Sequence, residues 1–458
     1  MTDKFDNTIA ERDKKAAYDA IDVISFKEFE AIVNKWLLVV DPSVVKLLVA
    51  TIFANLFPSD PVWLFLVAPS SGGKTELLNM FLKYPQCYFL SQLTPNTFLS
   101  GYKAKDKEPS LLHQLGTNKT LIFKDFTSLL EGNKDAFKEL MGQLREIFDG
   151  YVTKRLGTGD EITWKGKLGF IAGCTTVLEY RMNLIGAMGE RFLTYYIKQP
   201  KRAALRIKMK ENVGKEEEMR NEIQDGLIGC MKGLLVPEKL PELPEEVSKT
   251  IDSLTDFIAI GRAVVMRAFD TKKEIEGTIE PEGAGRTYKQ LYTVALALFH
   301  IGGGEWTDQD SYAIRKLAIC SVHSTRYKLI KTIASYKTDV KTATLSIALG
   351  LPTSTTRRYL EDLAAISMDD GEIRILTRNH QGKGKPDLWQ ITPAMRDILA
   401  SMGDDVEPTK EDADFDITEE DVPVGVSGNG KPHEDDRTEE VEALIGSIDP
   451  AELDRLGI

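Results

Sequence analysis

The segment WLFLVAPSSGGKT, at residues 63–75, constrains the fold of this chain more than any other stretch. The apolar run at 62–67 is bounded by Pro61 and Pro69, which is typical of a short buried strand. A loop of small residues follows, and the next segment, ELLNMFL, has helical spacing. A strand, a small-residue loop and a helix in this order form the context of a phosphate-binding P-loop. The sequence therefore predicts an α/β domain that binds a nucleotide.

In a P-loop, the residues of the loop bind the phosphates of the nucleotide. Backbone N–H groups of the loop and of the helix N-terminus form a concave anion site. The Lys74 ammonium is expected to reach the β- and γ-phosphates, and the Thr75 hydroxyl is expected to hold Mg²⁺. ATP and Mg²⁺ are the predicted cofactors. The predicted cofactor-binding residues are Ser70, Ser71, Gly72, Gly73, Lys74, Thr75 and Glu76.

Cysteine content and hydropathy indicate the cellular compartment of the protein. The chain has 4 cysteines, which are far apart and form no CxxC pair, so a zinc site or a disulfide framework is not expected. The longest apolar run, at 44–57, contains Lys46 and Asn55 and is too short to span a bilayer. The first residues do not have the pattern of a signal peptide. We therefore predict a cytoplasmic protein without a membrane partner.

The net charge of −12 is unevenly distributed along the chain. Residues 403–458 contain 19 acidic and 4 basic residues, whereas the preceding 402 residues contain 51 acidic and 54 basic residues. Global acidity therefore does not argue against a nucleic-acid partner. The segment 403–440 is poor in apolar residues and is predicted to be disordered.

The segment 441–458, VEALIGSIDPAELDRLGI, restores apolar spacing in two short helical pieces. Three interpretations of the end of the chain are open at this point. It is a loosely structured tail, a docking peptide for a protein partner, or an acidic segment that competes with DNA for basic side chains.

Hydrophobic periodicity outlines the remaining elements. Strands are predicted at 88–90, 119–126 and 168–172, with a β-hairpin around GTGD at 150–164 and a further strand after Arg191. Helices are predicted at 26–40, 42–57, 134–148, across most of 201–280, at 286–300 and as a single helix at 308–335.

Residues 338–391 have the pattern of a winged helix-turn-helix. Helices at 341–349 and 354–365 flank a Gly-Leu-Pro turn, and a β-ribbon follows. The start of the second helix is the end that enters the major groove in such motifs, and a basic ribbon turn suits contacts with phosphates. A winged helix that docks a protein partner is the alternative. The predicted DNA-binding residues here are Arg357, Arg358, Arg378, Lys383 and Lys385.

The order of these parts resembles the AAA+ ATPases over roughly residues 62–335. The closest layout is the branch with an extra hairpin before the third motif strand, which includes minichromosome-maintenance helicases and bacterial enhancer-binding activators. The chain also resembles uncharacterised ATPases of bacteria and phages that share its KDFT, IAGCT and GAMGERF strings.

The resemblance implies an α/β fold in which an AAA+ P-loop core, a parallel sheet flanked by helices, carries a helical lid, a C-terminal winged helix and a disordered acidic tail. The expected divisions are an N-terminal helical arm at 1–60, the core at 61–200, the lid at 201–335, the winged helix at 336–400 and the tail at 401–458.

The same resemblance implies roles for several further residues. Thr175 matches the sensor-one position, and Arg191 matches an arginine finger that reaches the γ-phosphate of a neighbouring subunit. Arg286 resembles the sensor-two arginine at the start of a lid helix. A homo-oligomeric ring, hexameric or heptameric, is therefore expected. The alternative for Arg191 is an ordinary surface ion-pair partner, and the alternative for Arg286 is a plain arginine at a helix N-terminus.

The hairpin at 150–164 offers two basic residues to a DNA partner. The resemblance implies that Lys154 and Arg155 grip DNA in the pore of the ring. Exposed charges on a hairpin that only interact with solvent are the alternative.

One departure from the family pattern concerns catalysis. The second ATPase motif usually ends in Asp-Glu, whereas alignment on the strand puts Lys124 and Asp125 at these positions. Asp125 must then serve both the Mg²⁺ ion and the attacking water, or only one of them.

The sequence is compatible with three functions. The first is an ATP-driven motor on DNA (a helicase, helicase loader or initiator-like factor of a bacterial or phage element). The others are a nucleotide-switched DNA-binding regulator with little or no hydrolysis and a protein-remodelling ATPase.

Overall fold

The computed structural model describes residues 18–94, 97–99, 110–155, 161–181, 191–268, 274–278, 281, 283, 285–368, 371, 373–382 and 385–404. Its centre is a five-stranded parallel sheet that is covered by helices on both faces. The predicted α/β class, with a parallel sheet flanked by helices, is confirmed.

The sheet has the strand order β2-β3-β6-β1-β7. Its strands are β1 (Trp63–Val67), β2 (Cys87–Leu90), β3 (Lys119–Phe123), β6 (Leu168–Cys174) and β7 (Phe192–Tyr196). Between β3 and β6 the chain forms an antiparallel hairpin of β4 (Tyr151–Arg155) and β5 (Glu161–Lys165), as predicted. The strands of the sheet run in register, so the carboxyl ends of β3, β6 and β1 lie side by side at one edge.

Successive side chains of β1 point to opposite faces of the sheet, and both faces are buried. Leu64 and Leu66 belong to one hydrophobic core, and Trp63, Phe65 and Val67 belong to the other. A strand covered on both faces appears in the sequence as a continuous apolar run, which is why the pattern of β1 is so clear.

The second core is rich in aromatic side chains from the sheet and from α6 (Lys134–Phe148). Around Trp63, ring centroids lie 5.2 Å away at Phe148, 5.4 Å away at Phe170 and 4.9 Å away at Phe192. These contacts fix the last turn of α6 beside the amino ends of β1 and β7.

The segment predicted as an N-terminal arm contains part of the core. Its helices are α1 (Phe26–Trp36) and α2 (Val44–Ala54), and every residue of α2 is buried. The side-chain amide of Asn55 accepts a hydrogen bond from Val62 N and donates one to Val62 O, which joins the end of α2 to the start of β1. Helix α2 is therefore part of the core, because a helix this apolar on all sides has to be enclosed.

Helices dominate the chain from residue 202 to residue 334. They are α7 (Arg202–Asn212), α8 (Glu216–Gly233), α9 (Glu245–Arg262), α10 (Gly285–Ile301), α11 (Asp308–Cys320) and α12 (Ser324–Ala334). The short helices α3 (Lys74–Asn79), α4 (Leu111–Leu115) and α5 (Thr127–Glu131) belong to the earlier part of the chain.

Two predictions in this region are wrong. The single helix at 308–335 is two helices, because His323 begins a new helix and its ring nitrogen Nδ1 accepts a hydrogen bond from Thr325 N. The stretch predicted as helical up to 280 ends instead in an antiparallel pair, β8 (Val265–Arg267) and β9 (Ile275–Thr278).

The last described part of the chain has two helices joined by a tight turn, followed by short strands. The helices are α13 (Thr342–Leu349) and α14 (Thr353–Ala365), and Gly350 takes the left-handed conformation between them with φ of 63°. The strands and final helix are β10 (Val340–Lys341), β11 (Ser367–Met368), β12 (Ile373–Arg374), β13 (Leu376–Asn379), β14 (Leu388–Ile391) and α15 (Pro393–Ser401).

The β-ribbon predicted after α14 divides its residues between two antiparallel pairings. Strand β12 pairs with β11, whereas β13 pairs with β14, which also pairs with β10. The predicted acidic tail from residue 405 onwards lies outside the described residues. Within the described part of the chain, no helix is long and apolar enough to cross a membrane.

Candidate functional site

The segment 68–75 contains the loop between the carboxyl end of β1 and α3, together with the first two residues of α3, and its loop is tightly wound. Ser71 and Gly73 have positive φ angles of 62° and 79°. A Cβ atom on Gly72 would lie 2.9 Å from both Ala68 Cβ and Pro69 O, closer than real Cβ contacts allow. The loop therefore requires glycine at 72.

Lys74 begins α3 and folds back over this loop. Its Nζ atom donates hydrogen bonds to the carbonyl oxygens of Ala68 and Pro69, the second at 2.9 Å. Burial lowers the pKa of Lys74, while the negative charge of Asp125 opposes that shift. The ammonium is thus held at the loop and lies within electrostatic reach of one carboxylate.

The carboxyl ends of β3 and β6 bring Asp125 and Thr175 to the same edge as the loop. Thr127 holds both: its backbone N–H donates to Asp125 Oδ1 at 3.1 Å, and its Oγ1 atom accepts a hydrogen bond from Thr175 N at 2.9 Å. The Thr127 and Thr175 hydroxyls also lie 3.2 Å apart. Thr127 received no role in the sequence analysis, although it is the final residue of the KDFT string.

Lys124, at the position where the family pattern has an acid, extends toward the outer strand β2 and away from β1. Its Nζ atom lies 5.3 Å from the ring centroid of Phe89 on the outer strand β2. Its carbonyl oxygen faces Gly173, where a Cβ atom would lie 2.5 Å away. The Lys124 side chain is therefore not oriented toward Lys74, and Asp125 is the carboxylate that the sheet presents there.

Two residues that the sequence analysis missed brace the loop and α3. Gln199, just after β7, donates from Nε2 to Ile197 O at 3.1 Å and to Gly72 O at 3.4 Å. Arg220 on α8 makes a two-point ion pair with Glu76, with Nη2 to Oε1 at 2.7 Å and Nε to Oε2 at 3.2 Å. Glu76, one of the predicted cofactor-binding residues, thus has its carboxylate held by the helical region that follows the sheet.

Arg191 and Arg286 lie together at the opposite, amino edge of the sheet. Phe192 pairs with Trp63 at the start of β1, and Arg191 directly precedes Phe192. The guanidinium carbons of Arg191 and Arg286 lie 6.0 Å and 5.9 Å from the Phe148 ring centroid. A five-residue strand spans roughly 16 Å, so neither arginine belongs to the cluster around Lys74 of its own chain.

Both arginines are partly shielded from solvent by their surroundings, which include the carboxylate of Asp149. Arg191 Nη2 lies 3.3 Å from Asp149 Oδ2, and Gln290 Nε2 on α10 donates to Arg191 O at 2.9 Å. Burial lowers the pKa of Arg191, and burial together with the charge of Arg191 lowers the pKa of Arg286. The structure therefore concentrates positive charge at this edge.

The predicted DNA-gripping residues of the hairpin occupy β4. Arg155 is exposed, whereas Lys154 is partly buried and its Nζ atom lies 3.4 Å from Leu99 O. The hairpin turn at 156–160 lies outside the described residues.

The predicted DNA face of α14 and β13 is largely neutralised by carboxylates. Arg357 lies 3.1 Å from Glu361 and 3.4 Å from Asp387, and Arg378 lies 2.6 Å from Asp387. Arg267, on β8, reaches the same helix and pairs with Asp362 at 2.7 Å.

The other predicted residues of this face differ in surroundings. Arg358 and Lys385 are exposed, and within the described ranges neither forms an ion pair. Lys383 lies outside the described residues. An open cleft separates β9 from α14, and its lining includes Arg267, Arg357, Arg358 and Arg378.

A protein-only metal centre is not apparent in the part of the chain that the structure covers: there, no group of three or more His, Cys, Asp or Glu side chains is positioned to hold an ion. Mg²⁺ bound with a nucleotide needs fewer protein ligands, because phosphates and waters complete its octahedron. The hydroxyl of Thr75 and the carboxylate of Asp125 have the oxygen chemistry that Mg²⁺ prefers, and both follow strands that end at one edge.

Comparisons with family models and with curated proteins give no relative from which a role could be transferred. No protein-family model matches the chain, and no curated protein shows significant similarity to it.

Proposed function

We propose that this protein is an ATPase of the AAA+ type that works on DNA as a homo-oligomeric ring. The observation that carries the proposal is the convergence at one sheet edge of three neighbouring strand ends. They carry the 68–75 loop with Lys74, the carboxylate of Asp125 and the hydroxyl of Thr175. Ligands of open parallel sheets bind beyond the carboxyl ends of the strands.

The residues at this edge match the chemistry of Mg·ATP. The loop backbone would surround the phosphates, Lys74 would neutralise their charge, and Thr75 and Asp125 would contribute oxygen ligands to Mg²⁺. Thr127 fixes Asp125 and Thr175 by hydrogen bonds, which supports a preorganised site. When bound, the metal neutralises charge that develops on the phosphoryl group.

The arginine pair at the amino edge supports assembly into a ring. Arg191 and Arg286 lie about one strand length from their own loop, and in a head-to-tail ring this edge can face the loop of the next subunit. An arginine supplied by a neighbouring subunit stabilises transition-state charge in phosphoryl transfer. A hexamer or heptamer with sites between subunits is consistent with this placement.

The helix-turn-helix of α13 and α14 with the β13–β14 hairpin supports DNA as the partner. We interpret it as a winged helix with the start of α14 directed to the major groove and the hairpin to phosphates. Arg358 and Lys385 are exposed and available for such contacts, as is Arg155 on the other hairpin.

The test is steady-state ATP hydrolysis by the wild type and Lys74→Ala, each with and without single- and double-stranded DNA. We expect turnover that DNA stimulates and that Lys74→Ala reduces by at least about 100-fold, because one charge aimed at the phosphates is lost. Lys138→Ala, which removes an exposed lysine from α6, is the matched control and is expected to retain wild-type turnover.

A second candidate is a nucleotide-switched DNA-binding regulator. It is favoured because lysine at position 124 leaves Asp125 without a neighbouring acid to assist it. Tight Mg·ATP binding without turnover, together with nucleotide-dependent DNA binding, would select this function. Turnover without DNA affinity at low salt would instead select a protein-remodelling ATPase.

A further inference from the structure

Helix α7 follows the sheet and is unusually exposed. All eleven of its residues are described, and none of them is buried. Its partly buried side chains are Leu205, Lys208 and Asn212, and Asn212 Nδ2 donates a hydrogen bond to Trp36 O at 2.7 Å. This spacing of three and four residues marks the side of α7 that faces the rest of the protein.

An adjacent, exposed side of α7 combines apolar and basic side chains, and we call it the α7 stripe. Arg202, Arg206 and Met209 follow at intervals of four and three residues and so share one face, and Val213 directly follows the last residue of α7. Met209 is 60% exposed and Val213 is 72% exposed. Residues 198–210 contain 6 lysines and arginines and no acidic residue.

This combination indicates a partner that is acidic and apolar at once. A nucleic-acid backbone would contact the arginines and leave Met209 and Val213 in water. An acidic amphipathic helix can cover the apolar side chains and also pair with the cations.

The chain itself contains a segment with that pattern. In 441–458 the apolar residues Val441, Leu444, Ile445 and Ile448 follow at i, i+3, i+4 and i+7, and the segment has 4 acidic residues against one arginine. Five further acids lie at 434–440. A chain of the length between residues 404 and 441 spans up to roughly 120 Å when extended, so this segment can reach α7.

We propose that the α7 stripe is the docking site of the chain's own acidic segment 441–458. Apolar residues of the segment pack on Met209 and Val213, and its carboxylates pair with Arg202 and Arg206. Tethering supplies an effective concentration on the order of millimolar, so a weak intrinsic contact is enough for substantial occupancy. The inference does not depend on nucleotide hydrolysis.

The test uses the full-length chain with a photo-crosslinking phenylalanine analogue at position 209, and the same analogue at position 207 as the matched control. Ile207 is equally exposed, at 63%, but lies on another face of α7. Mass spectrometry after irradiation is expected to find peptides from 441–458 joined to position 209 and not to position 207.

Charge and shape variants separate specific docking from random collision of the tail with α7. Arg206→Glu in the position-209 protein, and independently Leu444→Asp, are each expected to abolish the crosslink, whereas Lys138→Glu on α6 is expected to leave it unchanged. Equal crosslinking from 207 and 209, or survival of the crosslink in both variants, would overturn the proposal. Absence of any crosslink between position 209 and 441–458 would also overturn it. Loss of DNA binding in Arg206→Glu would in that case identify α7 as a DNA contact.

Discussion

At the scale of single residues, catalysis in the proposed function depends on Asp125. We expect Asp125→Asn to retain ATP binding and to lose turnover by about 100-fold or more, because the amide removes the negative charge that Thr127 holds beside Lys74. Nucleotide binding and steady-state hydrolysis measured on the same preparation test this.

Lys124→Ala is the matched control at the neighbouring position. Because its ammonium lies over the Phe89 ring and away from the loop, its removal is expected to change turnover by less than about threefold. Loss of turnover in Lys124→Ala as large as that in Asp125→Asn would contradict the assignment of Asp125 as the acting carboxylate.

Lys167 provides a residue-scale prediction for pH. Its Nζ atom donates to Phe57 O at 2.7 Å, and burial lowers its pKa to about 8. Between pH 8 and the ordinary lysine pKa of about 10.4, the unfolded chain binds more protons than the folded chain, so the free energy of unfolding rises with pH. From pH 7.5 to pH 10 this rise amounts to about 2 kcal/mol.

Urea unfolding of the wild type and Lys167→Met at these two pH values tests the effect. The methionine variant has no proton to lose at this position, so its stability is expected to lack this contribution. The same pH-dependent change in both proteins would show that Lys167 keeps an ordinary pKa.

At the scale of elements, the parts that could be predicted are those whose cause is local in sequence. The strands β1, β3 and β6 are buried on both faces and therefore appear as continuous apolar runs, and the 68–75 loop follows from its own glycines. The bracing of Glu76 by Arg220 could not be predicted, because these residues are 144 positions apart and only folding brings them together. The break at His323 depends on a single side-chain cap.

The neutralised face of α14 gives an element-scale prediction. Glu361 lies 3.1 Å from Arg357, 3.4 Å from Arg267 and 3.8 Å from Arg378, so it holds three cations away from any phosphate. Glu361→Gln is expected to increase DNA affinity by about three- to tenfold and to steepen its dependence on salt.

The control must carry the same change in net charge, and Glu139→Gln, exposed on α6, does so at a site away from this cluster. Titration of a fluorescent duplex at two or more salt concentrations measures both variants. Equal affinities of the Glu361 and Glu139 variants would show that α14 does not contact DNA.

At the scale of the whole molecule, the decisive feature is the separation of Lys74 and Arg191 to opposite edges of the sheet. Sequence motifs name both residues, but only the parallel register shows that they lie about one strand length apart. The net charge of −12 is likewise misleading for the whole molecule. It comes from residues 403–458, whereas the preceding residues, which carry the sites, are close to neutral.

A shared site predicts complementation between two inactive variants. Homo-oligomers of Lys74→Ala lack the loop cation, and those of Arg191→Ala lack the residue offered to the neighbour. In a mixed ring, an Arg191→Ala subunit can receive Arg191 from an adjacent Lys74→Ala subunit. With equal random mixing, roughly a quarter of the head-to-tail interfaces combine an intact loop with an intact arginine, so turnover should recover to about that fraction of wild type.

Mixing Lys74→Ala with the double variant Lys74→Ala/Arg191→Ala is the matched control, because no interface in that mixture contains an intact loop. Native mass spectrometry establishes that subunits have exchanged, and hydrolysis is measured on the same samples. Mixed rings that form and remain inactive would contradict a site shared between subunits and would make Arg191 a structural partner of Asp149 and Phe148. Recovery would establish that Lys74 acts on nucleotide bound to its own chain and that Arg191 acts on nucleotide bound to the neighbouring subunit.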